Sequence, residues 1–188
     1  SDVFQYSLER MRRWGYLVNY STMCSSNFGV PQRRRRLIVI GIRPDICKSI
    51  GIKHEEEILD LYPEGSSYEP TIGDGLDGVV VDEFERKQLL LNSVKQSTYE
   101  LIKSIPIDPS TVRGMGTVRE NWTSDFNLIR TSMYKPSPTL TQMGQQMGRG
   151  GCFHPMEDRV FTINELKRLM GLPDDYILTG TFNQRSER

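Results

Sequence analysis

The run Leu37–Ile42, LIVIGI, is apolar at every position. A segment with no polar face reads as a strand covered on both sides, and such strands sit in the middle of layered α/β sheets. Ahead of it, Tyr16–Met23 (YLVNYSTM) reads as a second strand. Earlier still, Phe4, Leu8, Met11 and Trp14 share one helical face, and Gly15 is placed to stop that helix in a left-handed turn. Helix, strand, loop and strand in this order form one edge of an α/β sheet.

Four arginines, Arg33 to Arg36, stand directly before the apolar run, in NFGVPQRRRRLIVIG. On an extended chain side chains alternate, so Gln32, Arg34 and Arg36 share one face, while Arg33 and Arg35 are left to solvent or backbone. Two planar guanidinium forks on one face suit a phosphate or a base edge. The plainer alternative is a solubilising basic turn.

Lys plus Arg and Asp plus Glu balance at 24 each, yet the charge is segregated. Residues 1–43 hold eight Arg against Asp2 and Glu9, whereas residues 45–85 hold twelve acids against Lys48 and Lys53. From Phe126 to Pro155 there is no acid, while Arg130, Lys135 and Arg149 remain. Basic surfaces flanking an acidic one suit an anionic ligand on one face.

The acidic stretch reads as a solvated connector with a short helix at HEEEILDLY and a loop at PTIGDGLDG. Residues 83–104 read as helical, with Phe84, Leu91, Leu101 and Ile105 as apolar contacts. Residues 111–155 read as loops on short strands, the kind of segment that carries function. Within them PSPTLTQMGQQMGRGG sets Gln142, Gln145, Gln146 and Arg149, side chains that read base edges, on a glycine-rich loop beside Thr139 and Thr141, whose hydroxyls suit phosphate oxygens. The strongest helix signal is FTINELKRLMGLPDDY, where Thr162 caps, Glu165 completes a capping box, and Gly171 with Pro173 stop the helix.

Three Cys without paired spacing and two scattered His give neither a disulfide framework nor a metal site. No apolar run reaches the length of a membrane span and no signal-peptide core is seen, so the chain reads as soluble and not secreted.

Gly15, Tyr16 and Val18 followed by NFGVPQRRRR, then Thr139-Leu140, His154-Pro155 and RVFTINELKRLMGLPDDY, resemble in order and spacing the C-terminal portion of the DNA (cytosine-5) methyltransferases: the eighth motif, the target-recognition region and the ninth motif. The resemblance implies the last helix and strands of a Rossmann-like methyltransferase sheet plus a small, mixed, loop-rich target-recognition domain. Residues 1–44 would be the C-terminal edge of the catalytic domain, 45–155 a connector and DNA-binding domain, and 156–188 the ninth-motif helix and hinge. It also implies methyl transfer from S-adenosylmethionine to C5 of a flipped cytosine, with a Cys thiolate as nucleophile.

By this resemblance Arg34 and Arg36 support the flipped cytosine and Gln32 braces the turn. Thr139, Thr141, Gln142, Gln145, Gln146, Arg149, Arg130 and Arg113 contact DNA, and Arg159, Thr162 and Glu165 orient the loops. Cys24, Cys47 and Cys152 lack the preceding proline of the family's nucleophile, and the cofactor glycines are not seen. The chain is thus expected to be inactive alone, with double-stranded DNA and a missing N-terminal catalytic region or complementary subunit as partners. The expected location is cytoplasmic in a prokaryote and nuclear in a eukaryote. Two other readings stay open: a non-catalytic DNA-binding module, and a transfer-RNA cytosine-5 methyltransferase of the same family.

Overall fold

The computed structural model describes residues 2–89, 100, 103–105, 107, 113–114, 128–140, 151–181 and 184. The chain divides into two compact units, Ser1–Cys24 with Arg35–Ser66, and Ser25–Arg34 with Ser67–Arg188.

The first unit opens with α1 (Asp2–Arg13), which carries Asp2 in its first turn and Arg10, Arg12 and Arg13 in its last, charges that complement the helix dipole. Gly15 follows at φ +85°, the left-handed turn that the sequence called for. Leu8 is buried, and Phe4 meets Tyr20 edge-on at 5.1 Å. Trp14 is not on the buried face expected of it. It lies past the end of α1, 62% exposed, with the Arg10 guanidinium 5.3 Å from its ring centre.

β1 (Leu17–Cys24) and β2 (Arg35–Ile42) pair antiparallel from Leu17 opposite Ile42 to Cys24 opposite Arg35. α2 (Pro44–Ile50), a helix the sequence reading missed, starts with proline, which suits a first-turn position, and a 3-10 helix, Glu55–Leu61, replaces the expected short helix. Ile42, Cys47 and Ile58 form the core, with Leu17, Ile40, Ile52 and Tyr62 packed against it. Glu55 ties the pieces together: it accepts from Arg12 Nε at 2.9 Å and from the Val18 N–H at 3.0 Å. The Arg12 guanidinium holds the Glu55 carboxyl below its usual range.

The apolar run does not sit centrally. Among the described residues β2 pairs with β1 alone, and Leu37, Ile38 and Val39 are 45%, 40% and 39% exposed. Hydrophobicity records a strand's demand for cover, and the described residues bring cover only to Ile40 and Ile42. Among the described residues no helix is long and apolar enough to cross a membrane.

The second unit packs α3 (Ile72–Leu76) against α5 (Ile163–Leu169), with α4 (Glu83–Gln88) earlier in the chain than α5. The segment read as a Gly-rich loop is α3, because Thr71 and Asp74 form a reciprocal capping box that offsets the weak helix propensity of Gly73 and Gly75. Phe84, expected to pack, is 72% exposed. The short strands β3 (Arg113–Gly114), β4 (Leu128–Arg130) and β5 (Gly151–Phe153) form one sheet, β3 antiparallel and β5 parallel to β4. Ile72, Leu140, Cys152, Phe161, Ile163, Leu166 and Leu169 make the core.

α5 starts as the sequence predicts: the Thr162 side chain accepts from the Glu165 N–H and the Glu165 carboxylate accepts from the Thr162 N–H. Past its end Gly171 stands at φ +76°, and a Cβ there would lie 3.1 Å from Val30 Cγ2. Gly171→Ala is therefore expected to destabilise by about 1–2 kcal/mol from the left-handed backbone alone, measured as a lower urea midpoint at unchanged slope; an unchanged midpoint would contradict this.

Candidate nucleic-acid interface

Residues 25–34, flanked by the strands, form a loop whose backbone is held by short polar side chains. Ser25 contributes most. Its N–H donates to the Arg34 carbonyl at 3.1 Å, its hydroxyl donates to the Gln32 carbonyl, and the same oxygen accepts from the Arg34 N–H at 3.1 Å. From the far side, Arg33 N–H donates to the Ser137 carbonyl at 2.8 Å and Ser137 N–H to the Pro31 carbonyl at 2.9 Å, a parallel bridge between Gln32 and Ser137.

Gln32 lies inside this frame, 1% exposed, with its Nε2 donating to Met170 Sδ at 3.2 Å. Regular strand begins at Arg35, and residue 34 just before it is held by Ser25. Arg34 is half-buried in the second unit, whereas Arg36 is exposed on β2 of the first, opposite Met23, and donates to the Arg35 carbonyl at 2.8 Å. Arg33, expected to be left to solvent or backbone, is exposed and also pairs with Glu69: Nε donates to Oε1 at 3.1 Å and Nη2 to Oε2. Ser26 donates to the same Glu69 Oε1 at 2.5 Å. Glu69 has no signal in its local sequence, and the sequence reading missed it.

Thr139 is half-buried, and its hydroxyl donates to the Arg33 carbonyl at 2.9 Å. Thr141, Gln142, Gln145, Gln146 and Arg149 lie outside the described residues. Arg113 pairs through its backbone with Arg130 across β3 and β4. Arg130, expected at the DNA surface, is instead inside. It is 1% exposed and donates to the carbonyls of Ile105, His154 and Glu157 and to Asp158 Oδ1 at 2.6 Å. A basic residue in an acid-free sequence window looked surface-bound, but its acid, Asp158, lies 28 positions on.

Arg159 is also 1% exposed, in a dense ionic cluster. Nη1 and Nη2 meet the two Glu165 oxygens at 2.6 and 2.8 Å, and Nη2 meets Glu157 at 3.1 Å. Arg86 of α4 reaches the same Glu157 at 2.8 Å. Burial works against the charge of Glu157, but the hydrogen bonds from Arg159 and Arg86 outweigh it and hold the carboxyl down to about 2. Glu165 behaves likewise: burial opposes its charge and Arg159 restores it, leaving the carboxyl below its usual range.

His154 lies beside this cluster, 7% exposed, its ring tilted on Phe161 at 5.6 Å. Nδ1 accepts the Met156 N–H at 3.2 Å, so Nε2 carries the proton and faces Glu165 Oε1 at 3.6 Å. Burial first, then the charge of Arg159, depress the imidazole to about 4.

Of the three thiols, Cys47 and Cys152 are buried and Cys24 is half-buried. Burial pushes Cys152 up to about 12, so it is not a thiolate at neutral pH.

The model of the family described as C-5 cytosine-specific DNA methylase matches residues 1–187. The type II methyltransferase M.BsuFI of Bacillus subtilis is 40% identical over 175 residues, covering 93% of this chain and 36% of that protein. M.Sau96I of Staphylococcus aureus is 27% identical, covering 88% and 37%, and M.NgoFVII of Neisseria gonorrhoeae is 26% identical, covering 89% and 44%. The chain thus spans less than half the length of these relatives. Among solved structures, a candidate DNA modification methyltransferase encoded within a prophage (E. coli) matches 97% of this chain and 60% of that one, with a TM-score of 0.53 and 16% identity, a likeness of fold. These matches correct the assignment to a C-terminal portion: the family model is matched over residues 1–187 of this chain.

His154 supplies a pH test. Its folded value of about 4 lies below the usual 6.5, so between them the unfolded chain binds the extra proton. The stabilisation is complete above about 6.5 and is lost as pH falls toward 4, on the order of 3 kcal/mol in all. Denaturant midpoints should fall across that window, and His154→Gln should flatten the fall; an equally steep fall in the variant would contradict the assignment.

Proposed function

The chain belongs to the C-5 cytosine-specific DNA methylase family, and on that premise we propose that it forms the DNA-contacting part of a DNA (cytosine-5) methyltransferase. The reaction proposed for the whole enzyme is transfer of a methyl group from S-adenosylmethionine to C5 of a flipped cytosine, and, since its relatives are named type II methyltransferases, its proposed setting is a restriction-modification system.

The observation that carries the reading is loop 25–34, where basic residues follow a turn whose backbone groups are already bonded within the protein. Such a loop presents its arginines without first having to be ordered, which favours contact with a polyanion. Arg34, on this loop, and Arg36, on β2, are each proposed to donate to the base or its adjoining phosphate once the cytosine is out of the stack. A fixed positive donor near the ring stabilises negative charge that develops during attack. Arg159, Thr162 and Glu165 hold α5 and the segment before it, and so position Thr139 and Leu140 only at second hand. Residues 1–44 are proposed as edge strands of the catalytic domain, 45–155 as connector and recognition domain, and 156–188 as hinge.

The described residues do not fit the cofactor. β2 passes through Arg43 into Pro44, which has no N–H to offer an anion, and no glycine-rich turn joins a described strand to a helix. The nucleophile is likewise not among the described thiols in an activated setting: Cys47 and Cys152 are buried, and Cys24 is on a strand. Both functions are assigned to the remainder of the enzyme, since the relatives are more than twice as long.

The test uses labelled cofactor and a short duplex. The 188-residue chain is expected to bind duplex DNA and transfer no methyl group; turnover by this chain alone would overturn the division of labour. Competition by transfer RNA as effective as that by duplex DNA would move the substrate to RNA. In the complete enzyme, Arg36→Ala should lower kcat by about 100-fold while duplex affinity changes far less, because the proposed contact forms after flipping. Equal losses would make Arg36 a plain phosphate anchor.

A further inference from the structure

Glu69 belongs to none of the motifs above, yet its carboxylate joins both ends of loop 25–34. Oε1 accepts from Ser26 at 2.5 Å and from Arg33 Nε at 3.1 Å, and Oε2 accepts from Arg33 Nη2. Ser26 is fully buried, whereas the Arg33 side chain is 60% exposed, so the ion pair is anchored on its inner side and reaches solvent on its outer side.

We propose that Glu69 is a positioning residue that withholds Arg33 from DNA, so that the arginine run meets the nucleic acid through its later members. This rests on the DNA-contacting reading of the same loop.

The argument is one of shape and charge. A carboxylate offers a guanidinium two oxygens in the same fork geometry as a phosphate, so it occupies the Nε and Nη2 edge that a phosphate would take. The backbone that carries Arg33 is fixed, so its side chain starts from one place beside Glu69. Its N–H is bonded to Ser137 at 2.8 Å and its carbonyl receives Thr139 at 2.9 Å. Glu69 is restrained too, because it precedes Pro70, and the residue before proline is confined to extended backbone. The ion pair thus lowers the number of phosphates the loop neutralises, and with it the affinity for DNA of any sequence.

The salt dependence of duplex binding reads this number directly, and a merely structural role would not increase it. For the chain binding a short duplex, Glu69→Gln should steepen the slope of log K against log salt by about 0.9, one more phosphate contact. Over a fourfold rise in salt that is about 3.5-fold more affinity lost than in the wild type. Combining Arg33→Gln with Glu69→Gln should restore the wild-type slope. Arg33→Gln alone, which keeps Glu69 and its bond to Ser26, should leave the slope unchanged, since that arginine is already withheld.

A Glu69→Gln slope equal to or shallower than wild type, or a shallower slope for Arg33→Gln alone, overturns the proposal while the DNA reading stands. Failure of the wild-type chain to bind duplex at any salt overturns both.

Discussion

The guanidinium of Arg159, buried among Glu165 and Glu157, is the contact that ties α5 to the segment before it and to α4. A buried charge is tolerable only if every hydrogen-bonding direction is met, and removing one partner leaves the other stranded in a poor solvent. The same Glu165 carboxylate closes the capping box of α5, and the same Glu157 receives Arg86 from α4. One cation therefore fixes the start of one helix and, through a shared acid, the end of another. Arg130 repeats the device one strand away, on three carbonyls and Asp158.

This arrangement sets two groups of arginines apart. Arg130 and Arg159 are internal and neutralised, and they shape the unit. Arg34 closes a loop that is held by serine and threonine hydroxyls, Arg35 and Arg36 follow it, and among the described residues no acid pairs with them in the way Glu69 pairs with Arg33 or Glu165 with Arg159. A net charge of zero conceals this division, since the balance is struck inside the protein as well as on its surface.

Local signals were legible in the sequence. The helix ending at Gly15, the two strands, and the Thr162 and Glu165 cap depend on contacts within a few residues, and each is found. The Thr71 and Asp74 cap was equally local but hidden by Gly73 and Gly75, whose composition spoke for a loop. What could not be read depends on distant partners. Glu69 stands 36 residues from Arg33, and Asp158 stands 28 from Arg130. No spacing rule links such pairs, so the surface position given to Arg130 failed, and Arg33, exposed as expected, has an acid partner that the sequence did not show. The exposure of Leu37, Ile38 and Val39 is a third case, because a residue's hydrophobicity does not report whether anything covers it.

Cys24 has a practical consequence of a different kind. It is the last residue of β1, opposite Arg35 in the ladder and next to Ser25, where the chain passes from one compact unit to the other. Its two fellow thiols are buried, and Cys152 is held in its protonated form. A thiol-directed fluorophore or spin label should thus mark Cys24 in preference, without first replacing the other two. The native sequence carries its own reporter next to loop 25–34, from which changes in that loop can be followed.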